Sequence, residues 1–392
     1  MTKKVASRAN AISPFHVMDI LSQAKQLEAA GQNIIHMEVG EPDFDTPQPI
    51  IEAGMHALKQ GKTHYTPACG LPELREAIAG WYEQQYQVKV NAERIIVTPG
   101  ASGALLLVMG ALLEKQKQVL LADPGYPCNK HFARFVEGRV NSIPVNANNQ
   151  YQLTAQHIEQ YWDDNTVMAL VASPSNPTGT VLTQPDLKEL AAAVARKSGH
   201  LVVDEIYHGL TYDGFHAPTA LSVSDQVFVV NSFSKFFGMT GWRLGWLMVP
   251  EGYTEVMDKL AQNLFLAPTT MSQYAALAAF QSNTLAILEQ RRQAFERRRN
   301  TLLPLLKDIG FSIPVTPQGA FYLYADCSTL LNEQIPDSMA LSRFLLSQAG
   351  VAITPGLDFG HYQAGSHCRF AYTRDESLLV EAAERIKRVM TG

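Results

Sequence analysis

Short apolar runs alternate with longer amphipathic stretches through the middle of the chain. Residues 95–97, 167–172 and 201–203 are rich in consecutive apolar side chains, which is typical of strands buried on both faces of a sheet. Residues 184–197 carry apolar side chains near helical spacing, and the uncharged residues 101–113 indicate a buried helix. Further strands are predicted over 119–121, 227–230 and 244–249. Strands separated by helices predict an α/β fold with a mainly parallel sheet covered on both sides.

The pattern changes after about residue 271. Residues 284–306 predict a long, partly exposed helix that links two domains. Beyond it come a predicted strand at 321–325, a helix at 339–348, short strands at 351 and 369, and a last helix from 378. This is the pattern of a smaller α+β domain. Because the N-terminal residues have no place in the parallel sheet, we expect a large domain over 46–284 and a small domain formed by 1–45 and 285–392.

Length and composition narrow the class of protein. A chain of 392 residues exceeds the roughly 250–300 residues at which a single core stops growing, which supports two domains. Hydrophobic residues make up 46% and charged residues 18%, a balance that excludes a disordered chain, a collagen-like repeat and a small disulfide scaffold. The net charge of −5 leaves no basic excess for binding nucleic acid or an anionic membrane.

The cysteines and the N-terminal residues indicate in which cellular compartment the protein is expected. The cysteines are scattered without a C-x-x-C pair, so neither a disulfide framework nor a metal site is predicted. The N-terminal residues lack the continuous apolar run of a secretion signal. The uncharged stretch between Arg94 and Glu114 is broken by Thr98-Pro99-Gly100, which favours a strand, a turn and a core helix over a membrane span. We therefore expect a cytoplasmic protein.

One segment combines an amine with groups suited to phosphate. The apolar run 227–230 leads to Ser232, Ser234 and Lys235, and Arg243 follows eight residues later. The phenylalanines on either side of Lys235 are expected to desolvate its amine and lower the pKa, and a neutral amine forms an imine with a carbonyl. Two hydroxyls and a guanidinium suit a phosphate monoester, so the segment suggests pyridoxal phosphate. Taken alone, it fits a surface lysine beside the start of a helix equally well.

A carboxylate and a phenol follow a second strand. Asp204 ends the apolar run 201–203, and Tyr207 comes three residues later. Ligands in open α/β sheets bind at the carboxyl ends of strands, where a buried carboxylate needs a cationic partner. A protonated pyridine nitrogen is such a partner, and Tyr207 is suited to donate to the phenolic oxygen of the same ring. A helix N-cap or a Mg²⁺ ligand is the alternative for Asp204, and the absence of a G-x-x-x-x-G-K-[ST] motif weakens the metal interpretation.

Three further turns place suitable groups near the same edge of the sheet. Ala101 and Ser102 lie at a predicted helix start, where free N–H groups bind phosphate. Asn176 lies in a turn that is stiffened by a proline on either side. Tyr126 is an aromatic residue suited to stacking on a flat cofactor. Each of these segments, taken alone, is also explained by an ordinary turn or a core tyrosine.

An arginine lies within a predicted strand near the C-terminus. Arg369 is flanked by apolar residues, and a buried guanidinium needs an anion. A carboxylate fits it with two parallel hydrogen bonds, so a substrate carboxylate is a natural partner. An internal salt bridge is the alternative.

Taken as a set, these motifs closely resemble the class I/II pyridoxal-phosphate-dependent aminotransferases of fold type I. Seven segments follow the order of that family, including Gly40-Glu-Pro-Asp-Phe-Asp-Thr-Pro and Tyr65-Thr-Pro-Ala-Cys-Gly, and the resemblance runs nearly from end to end. It implies a mainly parallel sheet of seven strands in a large domain that binds the cofactor.

The resemblance also implies a role for each candidate residue. Lys235 is the Schiff-base lysine that also moves the substrate proton, with Asp204 on the pyridine nitrogen and Tyr207 on the ring oxygen. Tyr126 stacks on the cofactor ring, and Asn176 forms a hydrogen bond with the ring oxygen. The phosphate is held by Ala101, Ser102, Ser232, Ser234 and Arg243. The substrate carboxylate is held by Asn176, Arg369 and the Gly40 backbone. The tyrosine matching Tyr65 reaches the phosphate of the neighbouring subunit, which implies a homodimer.

The implied reaction moves an amino group from an L-amino acid to a 2-oxo acid by a ping-pong mechanism. Some aspartate-using relatives carry a lysine where this chain has Ser102, so a neutral or aromatic donor is expected. A carbon–sulfur lyase or another enzyme of the same cofactor is the alternative, since one scaffold supports several reactions. The S-x-x-K match at Ser232 also occurs in penicillin-binding hydrolases, but the K-T-G-like element at Lys197 precedes it, which is the wrong order. A regulator with a DNA-binding domain is disfavoured because the motifs already begin at Gly40.

Overall fold

Three sheets form the framework of the computed structural model, which describes residues 5–391. The strands of these sheets are β1 Ile35–His36, β2 Ile95–Thr98, β3 Gln118–Asp123, β4 Arg139–Pro144, β5 Thr166–Ala172, β6 His200–Asp204, β7 Phe228–Ser232, β8 Gly245–Met248, β9 Tyr322–Asp326, β10 Val351–Ala352, β11 Thr354–Pro355 and β12 His367–Ala371. The α-helices are α1 Ser7–Asn10, α2 His16–Ala29, α3 Gln48–Lys59, α4 Pro72–Tyr86, α5 Gly100–Leu112, α6 Pro127–Phe135, α7 Ala155–Tyr161, α8 Gln184–Arg196, α9 Thr254–Leu264, α10 Thr270–Ala276, α11 Ser282–Ile309, α12 Ser338–Phe344 and α13 Glu376–Thr391.

The largest sheet has seven strands in the order β2-β8-β7-β6-β5-β3-β4. Strand β8 runs antiparallel to β2 and β7, and the other neighbours are parallel. Along β6, Leu201 and Val203 pack in one hydrophobic cluster and Val202 in another, so both faces are buried. The predicted α/β class and the mainly parallel sheet are confirmed.

One strand of this sheet was not predicted. Strand β4 lies at the edge beside β3, and only Ile143 among its residues is buried. Its sequence mixes Arg139, Asn141 and Ser142 with apolar residues because one edge faces solvent. An apolar run was the signal for the other strands, and an edge strand of this kind does not have one.

Helix α8 shows how local sequence sets the element bounds. Thr183 and Asp186 form a reciprocal capping box at its start. Leu187, Leu190 and Val194 recur at helical spacing and are buried against the sheet. The predicted helix over 184–197 is therefore confirmed, with an end one residue earlier.

The N-terminal segment joins the C-terminal region and not the large sheet. Strand β1 pairs in parallel with β10, and β12 lies between β11 and β9 in a separate antiparallel sheet. The long helix α11 connects the two regions of the chain and packs on α13. The strands and helices predicted after residue 284 are confirmed in type and order.

The uncharged stretch after Arg94 forms β2 and the 13-residue helix α5. Helix α5 is buried along most of its length against the sheet. Within residues 5–391, no helix is both long enough and apolar enough to cross a bilayer.

Helix α2 is held by polar contacts at both ends. At its start, the Asp358 carboxylate accepts the backbone N–H groups of His16 and Val17 at 2.7 and 2.8 Å. Near its end, Glu28 contacts Nε2 of His36 at 3.1 Å, and Nδ1 of His36 lies 2.7 Å from the buried Glu38. These contacts fix the helix across the C-terminal region.

Raising the pH is expected to loosen the C-terminal end of α2. The hydrogen bond with Glu38, supported by the charge of Glu38 and the contact with Glu28, raises the pKa of His36 above its ordinary 6.5 against the opposing effect of burial. A raised pKa means that this stabilisation is complete below about pH 6.5 and is lost as the pH rises through the folded-state value. Protease cleavage within residues 5–30 should therefore be about two to five times faster at about pH 8.5 than at about pH 6.

Two variants control for the pH dependence of the protease itself. In His36→Gln, the cleavage rate at about pH 8.5 divided by the rate at about pH 6 should fall to the value that the protease gives on an unstructured peptide. His56→Gln, at an exposed position on α3, should behave like the parent protein. An unchanged ratio in His36→Gln would show that His36 does not hold the helix.

Candidate active site

A cavity of about 500 Å³ lies at the carboxyl edge of the seven-stranded sheet. Because parallel strands end at the same edge, the segments that follow β5, β6 and β7 meet there. The predicted site residues that line the cavity are Gly40, Ala101, Ser102, Tyr126, Asn176, Asp204, Tyr207, Ser234, Lys235, Arg243 and Arg369. Ser232 and Tyr65 are not among its lining residues.

Lys235 places its amine inside this cavity. Its Nζ donates to the carbonyl oxygen of Gly40 at 2.6 Å and lies 5.8 Å from the centre of the Phe321 ring. Desolvation, with a smaller contribution from the charges of Arg369 and Arg243, lowers the pKa of Lys235 to about 8. A sizeable fraction of the amine is therefore neutral near pH 8.

The aromatic surroundings of Lys235 differ from the prediction. Phe233 and Phe237 do not enclose the amine but pack with Trp246 in the core beneath the sheet. The ring that faces the amine is Phe321, directly before β9. The predicted lowering of the pKa is confirmed, and its largest cause is burial of the amine.

Asp204 is a buried acid without an ion-pair partner within residues 5–391. Its carboxylate accepts the N–H of Ile206 at 3.0 Å, and only 4% of the residue is exposed. Burial raises the pKa of the Asp204 carboxyl to about 7, although the Ile206 hydrogen bond and the charge of Lys235 oppose this. A cationic partner in the cavity would stabilise the ionised form.

Arg369 is enclosed between the rings of Tyr322 and Phe359, at 4.3 and 4.8 Å. One Nη donates to Asn176 at 2.9 Å, and the other donates to the carbonyl oxygen of Glu38 at 2.6 Å. The Nε atom is buried and has no partner within the described residues. No ion pair joins Arg369 to a carboxylate in residues 5–391, so the internal salt bridge is wrong.

The start of α5 and Arg243 form one end of the cavity. Gly100 has φ +71°, a conformation that favours glycine, and a Cβ there would lie 2.6 Å from Nη2 of Arg243, so the guanidinium would have to move. The N–H groups of Ala101 and Ser102 belong to the first turn of the helix and have no partner within it. This set of donors suits an anion such as phosphate.

Ser232 lies behind this end of the cavity. Its Oγ is within 3.0 Å of the carbonyl oxygen of Leu244 and accepts the N–H of Ser234 at 3.1 Å. The Ser232 hydroxyl also lies 2.9 Å from Oγ of Ser234, so its partners are the backbone and this second hydroxyl, and Ser234 is the serine that reaches the cavity. Tyr65 is 82% exposed and lies outside the cavity.

Several residues of the site were missed by the sequence analysis. Tyr322 lines the cavity and its hydroxyl lies 2.8 Å from that of Tyr207. Cys128 donates to the Tyr126 hydroxyl at 3.0 Å. Four apolar residues of the N-terminal segment also line the cavity: Phe15, Val17, Met18 and Leu21. Val17, Met18 and Leu21 recur at helical spacing, which was a usable signal for an apolar helix face, but nothing in the spacing indicated which surface that face borders.

The residues present fit pyridoxal phosphate at three points. The amine of Lys235 suits its aldehyde, and the unpaired Asp204 suits a protonated ring nitrogen. The cradle at Gly100, with Ser234 and Arg243, suits its phosphate. A parallel sheet that carries these groups at its carboxyl edge defines a pyridoxal-phosphate enzyme of fold type I.

Comparisons with known proteins narrow this class to one family. Residues 32–386 match the model of the family described as aminotransferase class I and II. The valine–pyruvate aminotransferase of Mycobacterium tuberculosis is 36% identical over 98% of each chain, and a probable aspartate/prephenate aminotransferase of Aquifex aeolicus is 36% identical over 100% of this chain and 99% of the relative. A crystal structure of an aminotransferase from Mycobacterium tuberculosis superposes with a TM-score of 0.94 at 36% identity, covering 100% of both chains. The chain therefore belongs to the class I and II aminotransferases, which depend on pyridoxal phosphate.

Proposed function

We propose that this aminotransferase moves the amino group of a neutral or aromatic L-amino acid to a 2-oxo acid in two half-reactions with ping-pong kinetics. The observation that carries the proposal is the guanidinium of Arg369, which has no carboxylate partner within residues 5–391 and lines the same cavity as Lys235 and Asp204. An α-carboxylate would supply the anion that Arg369 lacks and would orient the substrate toward Lys235.

The wall of the cavity supports a neutral side chain on the substrate. Phe15, Val17, Met18 and Leu21 contribute apolar surface, and the cations that line the cavity within residues 5–391 are Lys235, Arg243 and Arg369. We assign each of these three to the cofactor or the α-carboxylate, which leaves none for a second carboxylate. The name of the Mycobacterium tuberculosis relative, a valine–pyruvate aminotransferase, agrees with this substrate class, whereas the Aquifex relative is named for aspartate and prephenate.

The chain's own groups divide the work of catalysis. Bound pyridoxal phosphate supplies a carbonyl for imine formation and a ring that takes up electron density as a bond at the substrate Cα breaks. Lys235 Nζ takes the proton from Cα and returns it, as a general base of suitable pKa. The Asp204 carboxylate holds the proton on the ring nitrogen, and the Arg369 guanidinium holds the α-carboxylate together with Asn176 and the Gly40 backbone.

The remaining candidates position the cofactor. Tyr207 and Asn176 donate to the ring oxygen and Tyr126 stacks on the ring, which keeps the reactive carbon beside Lys235. Burial raises the pKa of Tyr207 well above its ordinary value, so its hydroxyl keeps its proton and can donate. The phosphate is held by Ala101, Ser102, Ser234 and Arg243, with Ser232 supporting Ser234 through the backbone.

We further propose a homodimer in which Tyr65 reaches the phosphate of the neighbouring site. Its 82% exposure leaves the side chain available to a second copy. Exposed apolar residues on the same protein, Met55, Leu58, Leu264 and Leu266, support a buried interface. A monomeric mass by light scattering at micromolar concentration would contradict this proposal.

The predicted division into a large domain over 46–284 and a small domain of 1–45 and 285–392 also stays a proposal. It is supported by the pairing of β1 with β10 and by the passage of α11 between the two regions. The free thiols at 69, 128, 327 and 368 support the expected cytoplasmic location. Limited proteolysis and cell fractionation test these two expectations.

A panel of amino donors tests the proposed function. Valine, leucine, alanine, phenylalanine, tyrosine and aspartate are each offered with 2-oxoglutarate or pyruvate, and the oxo-acid product is measured. We expect neutral or aromatic donors to have kcat/KM at least about tenfold above aspartate, because the apolar wall desolvates a second carboxylate. A preference for aspartate would contradict the substrate class. Release of ammonia or sulfide without any oxo-acid exchange would favour the lyase.

Replacing Arg369 by alanine is expected to raise the KM for the amino donor about 100-fold, because a desolvated charge-assisted pair is lost. The thermal midpoint should fall as well, because the guanidinium donates to Asn176, to the carbonyl oxygen of Glu38 and to Thr354, so the KM is measured at a temperature at which the variant is folded. Arg369→Lys should restore only part of the affinity, because an ammonium does not form two parallel hydrogen bonds. Steady-state kinetics measure this effect, and an unchanged KM would reject the carboxylate role.

A further inference from the structure

Tyr322 lies at the centre of the proposed site although the sequence analysis assigned it no role. It is 1% exposed and is the first residue of β9. Its hydroxyl lies 2.8 Å from the hydroxyl of Tyr207, and its ring lies 4.3 Å from the guanidinium of Arg369. A Cβ on Gly40 would come within 2.1 Å of the same hydroxyl, so Gly40 must be glycine for Tyr322 to sit here. One side chain thus touches three candidate residues.

The hydrogen bond between the two tyrosines can fix the direction of a proton. Each phenol has one proton to donate. If Tyr322 donates to the oxygen of Tyr207, the proton of Tyr207 is left to point into the cavity. The oxygen of Tyr207 is then more polarised, which makes Tyr207 a stronger donor toward the cofactor ring oxygen.

The ring of Tyr322 acts on a different neighbour. A guanidinium over an aromatic face is attracted by the ring quadrupole, and this attraction is strongest away from water. Residues Tyr322 and Arg369 lie on adjacent strands, since Tyr322 pairs with Ala371 of β12. The ring therefore supports the plane of the guanidinium that Asn176 and Thr354 hold at its edges.

We propose that Tyr322 is a positioning residue with two separable tasks: its hydroxyl directs the proton of Tyr207 toward the cofactor, and its ring holds the guanidinium of Arg369 in place for the substrate carboxylate. The second task rests on the proposed role of Arg369. The first task does not involve a substrate.

Tyr322→Phe isolates the hydroxyl, because it keeps the ring. The readout is a pH titration of the visible absorption of the holoenzyme without substrate. The ring oxygen would share a proton with the imine nitrogen of Lys235. A hydrogen bond donated to that oxygen makes it less basic, so the imine loses its proton at a lower pH. Weakening that donor should raise the titration midpoint by about 0.1–0.5 pH unit, because a neighbouring hydrogen bond changes the strength of a charge-assisted bond by roughly 10–30%. The KM for the amino donor should stay within about twofold of the parent value.

Tyr322→Leu removes the ring as well. It should show the same shift of the midpoint and, in addition, a KM for the amino donor about tenfold higher, which corresponds to the loss of a desolvated cation–π contact. If the leucine variant does not accumulate as folded protein, Tyr322→Met is used in its place, because the unbranched methionine side chain adapts to the same space. The matched control is Tyr372→Phe, which removes an equally buried hydroxyl that contacts Ala320 and lies outside the cavity.

Each task has its own refutation. A midpoint in Tyr322→Phe that equals the parent and Tyr372→Phe would reject the hydroxyl task. Equal KM values in Tyr322→Phe and in both Tyr322→Leu and Tyr322→Met would reject the ring task. Failure of the proposed carboxylate role is recognised separately, because Arg369→Ala would then leave the KM unchanged, whereas the titration midpoint is measured without any substrate.

Discussion

Replacing Lys235 by alanine is expected to lower the rate of amino transfer by about 10⁴-fold or more, since the variant loses both the covalent anchor and the base that moves the Cα proton. The lysine-imine absorption of the holoenzyme should disappear, so the protein should lose its yellow colour after gel filtration. The fold should survive, because the amine makes one hydrogen bond, to Gly40, and its desolvation is a cost to the folded state.

The pH dependence of cofactor loading gives an independent measurement on the parent protein. The pKa of Lys235 is lowered to about 8, so the neutral amine is scarce well below that pH and dominant above it. The rate at which apoprotein gains the imine absorption should therefore rise with pH and level off above about pH 8. Lys259→Ala, at an exposed lysine of α9, is the matched control and should load and turn over normally. An unchanged spectrum in Lys235→Ala would refute the assignment of this lysine.

Replacing Asp204 by asparagine is expected to have opposite effects on catalysis and on folding. Turnover should fall by about 10³-fold, because an amide cannot keep the ring nitrogen protonated and the ring then takes up electrons poorly. The apoprotein should be more stable than the parent above about pH 7. Burial raises the pKa of Asp204 from an ordinary 3.8 to about 7, so the parent apoprotein loses stability as the pH rises from about 3.8, and this loss is complete above about pH 7. The amide does not ionise and therefore avoids the loss.

Cofactor binding should reverse this order of stability. The parent holoenzyme gains an ion pair between the carboxylate and the ring nitrogen, whereas the asparagine variant does not, so bound cofactor should raise the thermal midpoint less in the variant. Calorimetry of both proteins with and without pyridoxal phosphate measures the four midpoints. Equal losses of turnover and of apoprotein stability would instead indicate a structural role for Asp204.

The large sheet could be predicted because its strands bury both faces. The run 201–203 packs in clusters on either side of β6, which is why an unbroken apolar run marked it correctly. Strand β4 has a solvent-facing edge and carries polar residues such as Asn141, so the same signal was absent. The helix over 101–113 followed from its lack of charge, which reflects burial along most of its length.

The part of the candidate site that lies at the carboxyl ends of parallel strands could be predicted from the sequence. Asp204, Asn176 and Lys235 follow parallel strands, and parallel strands bring their carboxyl ends to one edge. Tyr322 comes from an antiparallel sheet elsewhere in the chain, and no periodicity states which two sheets face each other. The same holds for the surroundings of Lys235: Phe233 and Phe237 pack on each other in the core, whereas Phe321, near the amine, comes from a distant part of the chain.

Helix α2 uses different side chains to pack on the core and to line the cavity. Ile20 and Ala24 pack it onto the core, and Asp358 and His36 fasten its ends, whereas Met18 and Leu21 border the cavity. Met18 and Leu21 are not members of the core cluster that anchors the helix. We therefore expect substitutions at these two positions to change the preference among amino donors while Ile20 and Ala24 keep the helix in place.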